Sequence, residues 1–474
     1  METTAFRNLV FTLFFSFLFQ FQPVKADNFY NREDIKARLE AMELIVQPRY
    51  TTAVESYIRG YLAKDGAKAE RILARTVVYF PIFERYLDEH NMPEDLKYLA
   101  VVESGLNPKA VSRVGATGLW QFMKETGSKE YGLRINSRID ERSCPHASTL
   151  AAMEYLARAY ERFGSWELAL ASYNCGAGNV NRAIRRAGGV QDYWSISKYL
   201  PRETRNFVPA FLGAAYIAKY HHTHGVLPQY PDLDMQLTEG VKVYTELDFN
   251  TIARVSGLPI EVVEMLNPHY KRGYVPAYSK GHYVVLPSRV MQSLKDYLHL
   301  LRPDNGSTSE IPEVPELVGV ENYFPNDYYY ETFYTVAQGD RLNELGKIFK
   351  CSGFNLKVWN NLTSKHVSRG QELVVWFPKE LRRFRTGSER VDVLPVVSQP
   401  TAPAIEVKRY TPKIQPIEPV EMAPLPMPQQ EVPYATSARN LDQLETGSSK
   451  LTPFQKAKIW TGEKGRSILK KIKR

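Results

Sequence analysis

Between residues 27 and 225 apolar side chains recur at helical rather than alternating spacing. Ile35, Leu39, Met42 and Ile45 form one stripe, and Val54, Tyr57, Ile58 and Tyr61 form another; a helix that buries one face repeats every three to four residues in this way. Further helices are predicted over 149–163, 166–173, 180–186 and 207–220, with Ser148 and Ser165 as N-caps and Gly188-Gly189 as a stop. Nothing in this span alternates as a strand does, so it reads as all-α. One of its helices is unusual. Leu96, Leu99, Ala100 and Glu103 share a face, Pro93 suits the first turn, and the pattern breaks just after the carboxylate. A glutamate there either leaves the core at the last turn or is held where water is scarce.

Beyond residue 225 the pattern changes to strand, helix, turn, helix, strand, and it does so twice. "KVYTELDFNTIARVSGLPIEVVEMLNPHYKRGYVPAYSKGHYVVLP" (242–287) and "FYTVAQGDRLNELGKIFKCSGFNLKVWNNLTSKHVSRGQELVVWFP" (333–378) keep one order of elements with different opening turns. They form an imperfect internal repeat. A proline-containing, acidic stretch (302–320) and a run of tyrosines separate them. Ten of the 30 prolines fall between Pro395 and Pro433, too many for helix or sheet, so that segment is expected to be extended or disordered.

Composition adds three constraints. A chain of 474 residues is expected to hold about three domains. Its opening, with basic Arg7, an apolar run from Leu9 to Phe21 and small residues at Val24 and Ala26, is too short to span a membrane and fits a secretory signal over 1–26. Export to the periplasm or cell envelope is the expectation, and no cysteine follows the cleavage point to carry a lipid. The net charge of +9 is concentrated at one end: Lys450–Arg474 has nine Lys or Arg and one Glu, leaving the remaining chain near neutral. Such a tail is usually only solvated, but it can associate with anionic envelope components.

Cys144, Cys175 and Cys351 could supply one disulfide in an oxidising compartment, and their spacing does not say which pair. No zinc, phosphate-loop or dinucleotide pattern is present. The histidines of "YHHTHG" read as a basic helix end with Gly225 as C-cap. Neither a metal, a cofactor nor a nucleic-acid partner is expected.

Three blocks, "ESGLNPKAVSRVGATGLWQFM", "ASYNCGAGNV" and "YLPRETRNFVP", resemble in order and spacing the signature blocks of lytic murein transglycosylases. The likeness is to the membrane-bound D type, in which LysM repeats follow a lysozyme-like domain. The resemblance implies a mainly α protein: a lysozyme-like all-α catalytic domain followed by two small βααβ LysM-like modules. The expected boundaries are a leader at 1–26, a helical region at 27–90, the catalytic domain at 91–231 and a degenerate LysM-like module at 240–289. A linker at 302–332, a LysM module at 333–379 and a proline-rich, then basic, tail at 388–474 complete the chain.

The same resemblance assigns roles. Glu103 is the catalytic acid, a role that partial burial supports by keeping a carboxyl protonated near neutral pH. Ser104, Gln121, Met123, Tyr173 and Asn174 line the substrate cleft, with Gly118 allowing close backbone approach; an amide with both donor and acceptor groups suits N-acetyl substituents. Phe207 stands where the family commonly has tyrosine. In the second repeat Gly339, Asp340, Trp359, Asn360 and Asn361 match LysM glycan-binding positions, whereas the first repeat lacks the Gly-Asp turn. The implied substrate is the glycan strand of peptidoglycan. The implied reaction closes the C6 hydroxyl on C1, so one carboxylate can serve both steps. Asp140, Glu141, Glu154 and Glu203 fall outside the matching positions and read as surface, cap or salt-bridge residues. A hydrolytic muramidase, which would need a second acid, and a non-catalytic wall-binding protein are the alternatives.

Overall fold

A computed structural model describes residues 30–301 and 325–379. The expectations for the leader, for linker residues 302–324 and for the proline-rich and basic tail fall on residues outside that set.

The first part is helical, as expected. The Asn31 side chain caps α1 (Arg32–Glu40) by accepting from Glu33 and Asp34 N, and the helix buries Ile35 and Leu39. The predicted stripe runs past its end, because Met42 enters the core from the following loop. Helix α2 (Thr52–Leu62) begins at a Thr51 cap and buries Val54, Ile58 and Tyr61. Helix α3 (Ala67–Glu89) is the long support of the domain, with Phe80 and Phe83 inside the core. Pro93 stands just outside a 3₁₀ turn, Glu94–Lys97, that leads into α4 (Tyr98–Ser104), so it precedes the first turn instead of occupying it.

Helices α5 (Lys124–Glu130), α6 (Pro145–Phe163), α7 (Trp166–Cys175), α8 (Ala177–Arg186) and α9 (Tyr193–Ile196) follow. Ser148 is not a cap. Helix α6 starts four residues earlier than expected, with Cys144 as N-cap and Pro145 in the first turn, where a proline loses no hydrogen bond. The Ser148 hydroxyl donates instead to Cys144 O at 2.6 Å. Ser165 does cap α7, and the chain leaves α8 through Gly188 and Gly189, both at positive φ. Helix α10 (Phe207–Tyr220) is buried at every position from Phe207 to Ile217 and packs on α2, α4 and α7. All-round apolarity marks a helix at the centre of a core.

The two repeats are two separate antiparallel modules. In the first, β1 (Thr238–Val243) follows the one-turn helix α11 (Leu233–Gln236), and β2 (Leu247–Asp248), α12 (Phe249–Ser256), α13 (Ile260–Leu266), β3 (Tyr274–Val275) and β4 (His282–Pro287) complete the fold. Strand β1 pairs with β4 from Thr238↔Pro287 to Val243↔His282, and β2 with β3. Helix α14 (Ser288–Leu300) extends the module beyond the expected boundary at 289 and buries Val290, Met291, Leu294 and Tyr297 against it. In the second module, β5 (Tyr329–Thr335) pairs with β6 (Glu372–Pro378), with α15 (Leu342–Phe349) and α16 (Gly353–Trp359) between them. Strand β5 thus begins inside the stretch expected to be linker.

The modules attach to the helical domain differently. The first is joined through backbone: Ile139 bridges Tyr270, Asp140 N donates to His269 O and Lys271 N to Arg138 O, both at 2.9 Å. Buried His282 meets Glu141 at 2.7 Å, and Tyr283 stacks on His146. The second docks by side chains. Phe354 of α16 meets Phe80 edge-on at 5.2 Å, and Lys365 reaches Glu84 and Glu94. Helix α11 joins all three parts: Asp234 binds Arg289 through both oxygens and accepts from Tyr329, while Gln236 accepts from Trp359.

Candidate active site

Glu103 occupies the last turn of α4, which Gly105 closes at φ 59, a left-handed conformation that favours glycine. Arg75 of α3 donates to Gly105 O at 3.0 Å and holds the turn. The Glu103 carboxyl is half-buried. Desolvation by the surrounding protein, and then the charge of Glu203, raise its pKa to about 8. Such a group is mostly protonated at neutral pH, the state a general acid requires.

The loop after α4 folds back over that turn. Ser104 Oγ lies 2.9 Å from Leu119 O and 3.1 Å from Ala100 O, joining the helix end to the loop with its single proton. Gly118 takes φ 88, and a Cβ there would lie 1.8 Å from Arg142 O. No other residue fits. The close approach that sequence assigned to Gly118 is therefore to the protein's own backbone. Gln121, at φ 49, donates through Nε2 to Ala110 O at 3.2 Å and Gly118 O at 2.9 Å, which leaves Oε1 as its acceptor still to be used. Met123 is the half-buried residue that precedes α5.

The second and third blocks close the site. Tyr173 is buried, donates to Trp120 O at 2.8 Å and packs edge-on against Tyr155. Burial, and then the Glu103 charge, push its phenol well above the usual range. Trp120 is itself fixed by donating to Thr149. Asn174 Oδ1 accepts from Thr204 Oγ1 at 2.8 Å, so the amide retains its two donors. Thr204 adjoins Glu203, and Phe207 is buried at the start of α10.

Sequence reasoning placed Glu203 among surface, cap or salt-bridge residues, and it is a surface residue, but one whose charge acts on the cleft. Its carboxylate lies within electrostatic reach of Glu103, and desolvation raises its own pKa. Asp140 and Glu141 do act as cap and salt-bridge residues, although both are buried: Asp140 pairs with Arg142 at 2.8 Å and Glu141 with His282. Glu154 is a surface residue paired with Arg158. The sequence reading missed Arg142 and Arg75. Arg142 donates to Gly115 O at 2.7 Å and Phe122 O at 3.2 Å, bracing both ends of the glycine-bearing loop. The charged run "DERS" at 140–143 was the one available signal for Arg142.

In the second module Asp340 Oδ2 accepts from Ala337 N and the Tyr334 hydroxyl, and Gly339 turns the chain at φ 93. Asn360 donates to Leu356 O and Val374 O and accepts from Val374 N. Asn267 makes the same three bonds in the first module, with Val263 O, Val285 O and Val285 N. Asn360 is thus a fastener of the module, and Trp359 is engaged with Gln236 at 2.9 Å. Asn361 remains exposed, at φ 51. Gly225 caps the histidine turn at φ 69. All three cysteines are unpaired thiols.

Residues 80–195 match the Transglycosylase SLT domain, and residues 238–302 match the LysM-like domain of lytic transglycosylase MltD. Membrane-bound lytic murein transglycosylase D of Escherichia coli K12 is 29% identical over 307 residues, 64% of each chain; the match therefore spans just under two thirds of that relative. Soluble lytic murein transglycosylase of the same organism is 30% identical over 158 residues, 32% of this chain and 24% of its own. The crystal structure of the 70 kDa soluble lytic transglycosylase from E. coli aligns at 27% identity over 36% of this chain and 28% of that one, with a TM-score of 0.29. The family likeness read from the three blocks is thus found again in the domain matches: a transglycosylase SLT domain followed by an MltD-type LysM-like domain.

Proposed function

We propose that the chain is an exported lytic transglycosylase of peptidoglycan, cleaving the β-1,4 bond between N-acetylmuramic acid and N-acetylglucosamine with Glu103 as acid and base. The observation that carries this reading is the Glu103 carboxyl, desolvated at a helix end and raised to about 8, with groups of all three blocks around it. Protonated Glu103 gives its proton to the glycosidic oxygen as the C1–O4 bond breaks. The resulting carboxylate takes the proton of the C6 hydroxyl as O6 bonds to C1, leaving a 1,6-anhydro end. No atom of water enters. A hydroxyl on the same ring reacts at high effective concentration. The free donors of Asn174 and the open acceptor of Gln121 suit the N-acetyl groups, Ser104 and Tyr173 hold the cleft, and Met123 borders it.

The surface beyond the cleft offers further candidates for contact with the strand. A cavity of about 210 Å³ lies between Lys109, on the loop to which Gln121 is fastened, and Phe249, Tyr270 and Lys271 of the first module. Gly339, Asp340 and Asn361 are the glycan-facing candidates of the second module. Trp359 and Asn360, already engaged within the fold, contribute shape. The basic tail would add attraction to anionic envelope components, consistent with a protein held in the periplasm or envelope.

Glu203 favours a second reading, a hydrolase in which it activates water. Product chemistry separates the two. Digestion of purified sacculi in ¹⁸O-water should yield unlabelled 1,6-anhydro ends that resist borohydride. Labelled, reducible ends as the main product would establish a muramidase instead.

A further inference from the structure

A second cavity, of about 180 Å³, lies where the second module meets α3 and the turn after α10. Its floor is apolar, with Phe80 and Phe354 meeting there. Its charged lining is of one sign: Lys219 and Lys357 line it beside His221, His222 and the neutral Thr76, Tyr230, Asn361 and Thr363, and no carboxylate does.

Lys357 is the unusual member. It lies on the last turn of α16, half-buried, and among the described residues no carboxylate comes within ion-pair distance of it. Desolvation, and then the neighbouring Lys97 ammonium, lower its pKa to about 8. Glu84 and Glu94 are close enough to act on it electrostatically, but they are bound by Lys97 and Lys365. His221 directs Nδ1 at Val226 O, and burial keeps both histidines below their usual pKa, so at neutral pH they offer neutral imidazoles. Lys219 has Asp95 within electrostatic reach, while Asp95 itself accepts from Ile45 N. A desolvated ammonium with no counter-ion over an apolar floor costs stability unless an anion completes it. Cavities between domains are common ligand sites.

We propose that this cavity binds a small organic anion, a carboxylate or phosphate on a short apolar body, with Lys357 Nζ as its main contact. Two sources share that chemistry: a free solute, and an acidic peptide substituent on the glycan strand. The site is separate from the Glu103 cleft.

Calorimetric titration of the full chain at neutral pH and low salt tests this with glutarate, inorganic phosphate and a γ-glutamyl peptide. Saturable binding of at least one probe is expected, weaker by about tenfold or more in Lys357→Met, the loss of one charge-assisted hydrogen bond. Lys357→Arg should keep binding, and Glu103→Gln should leave it unchanged. Melting curves of both Lys357 variants must match the wild type for the comparison to count, and if the methionine variant melts lower, Lys357→Gln replaces it. Tighter binding of the peptide than of glutarate would identify the strand's substituent as the source, and the reverse order a free solute. Absence of saturable binding by all three probes, or equal binding by wild type and the charge-free variant, would overturn the proposal.

Discussion

Two groups of glutamates in this molecule are desolvated, and their ionisation moves in opposite directions. At the cleft, burial and a second carboxylate raise Glu103 to about 8, and among the described residues no cation offsets them. Behind α3, burial would likewise raise Glu94, but the Lys97 and Lys365 ammonium groups overrule it and hold the carboxyl well below its usual range. Lys97 shows the mirror image. Desolvation would lower it, but Glu84, Tyr98 and Glu94 raise it above the ordinary lysine range. Burial is common to both sites, so burial does not define function. What separates them is compensation: the cluster is neutral and closed, while the cleft leaves Glu103 uncompensated for a substrate to complete.

The largest effect should come from removing the uncompensated group. Glu103→Gln keeps the shape but carries no transferable proton. Loss of one general acid–base residue costs roughly 10²–10⁴-fold, and here one residue serves both steps. Release of soluble muropeptides from sacculi should fall at least that far. The sign for stability is the reverse. A carboxyl whose pKa is raised on folding stabilises below its unfolded value, and that contribution is lost as pH rises through about 8. The variant should therefore melt with the wild type in acid and above it in mild alkali. Retention of more than about a tenth of wild-type activity, far outside the range for a general acid, would mean that another group is the acid.

The compensated cluster should respond in stability instead. Lys97→Met leaves Glu84 and Glu94 with Lys365 as their one described ion-pair partner, and breaking a buried pair costs about 3–5 kcal/mol. Lys365 is more exposed, and Lys365→Met should cost about 1 kcal/mol or less. Because Glu94 is held low, its contribution is present above the ordinary carboxylate range and disappears as pH falls. The difference in denaturant midpoint between wild type and Lys97→Met should therefore begin to shrink as pH falls below about 4 and keep shrinking towards the much lower folded-state value of Glu94. Equal losses for the two lysines would show that the cluster does not act as a buried pair.

The contrast also explains what could be read from the chain. Helices α2, α8 and α10 were legible because their apolar spacing and end signals are local. Helix α14 was missed because its stripe follows β4 without a break, and the first half of β5 because Tyr329 and Tyr330 read as part of a tyrosine-rich link. Glu103, Gln121 and Asn174 were legible because contiguous blocks carry them. Glu203 and Arg142 were not, since each matters only through residues that folding brings to it. Asn360 makes the same point: its match to a binding motif was visible, while its bonds to Leu356 and Val374 required the strand at 374.

The smallest effect sharpens the comparison at the cleft itself. Desolvation is the first cause of the Glu103 shift and the Glu203 charge the second, so removing the charge alone should lower that pKa without restoring it to 4.5. An acid catalyst works in its protonated form, so kcat/KM should fall as pH rises through the Glu103 value. In Glu203→Gln that alkaline limb should move to lower pH by about one unit or less, the scale of a single neighbouring charge near a surface. Activity at pH 6 should be nearly unchanged, because Glu103 stays protonated there in both proteins. A different result would assign Glu203 a different role. If Glu203→Gln abolished turnover at every pH while its folding was intact, Glu203 would be acting on the substrate or on water, and the cleft would hold two working carboxylates.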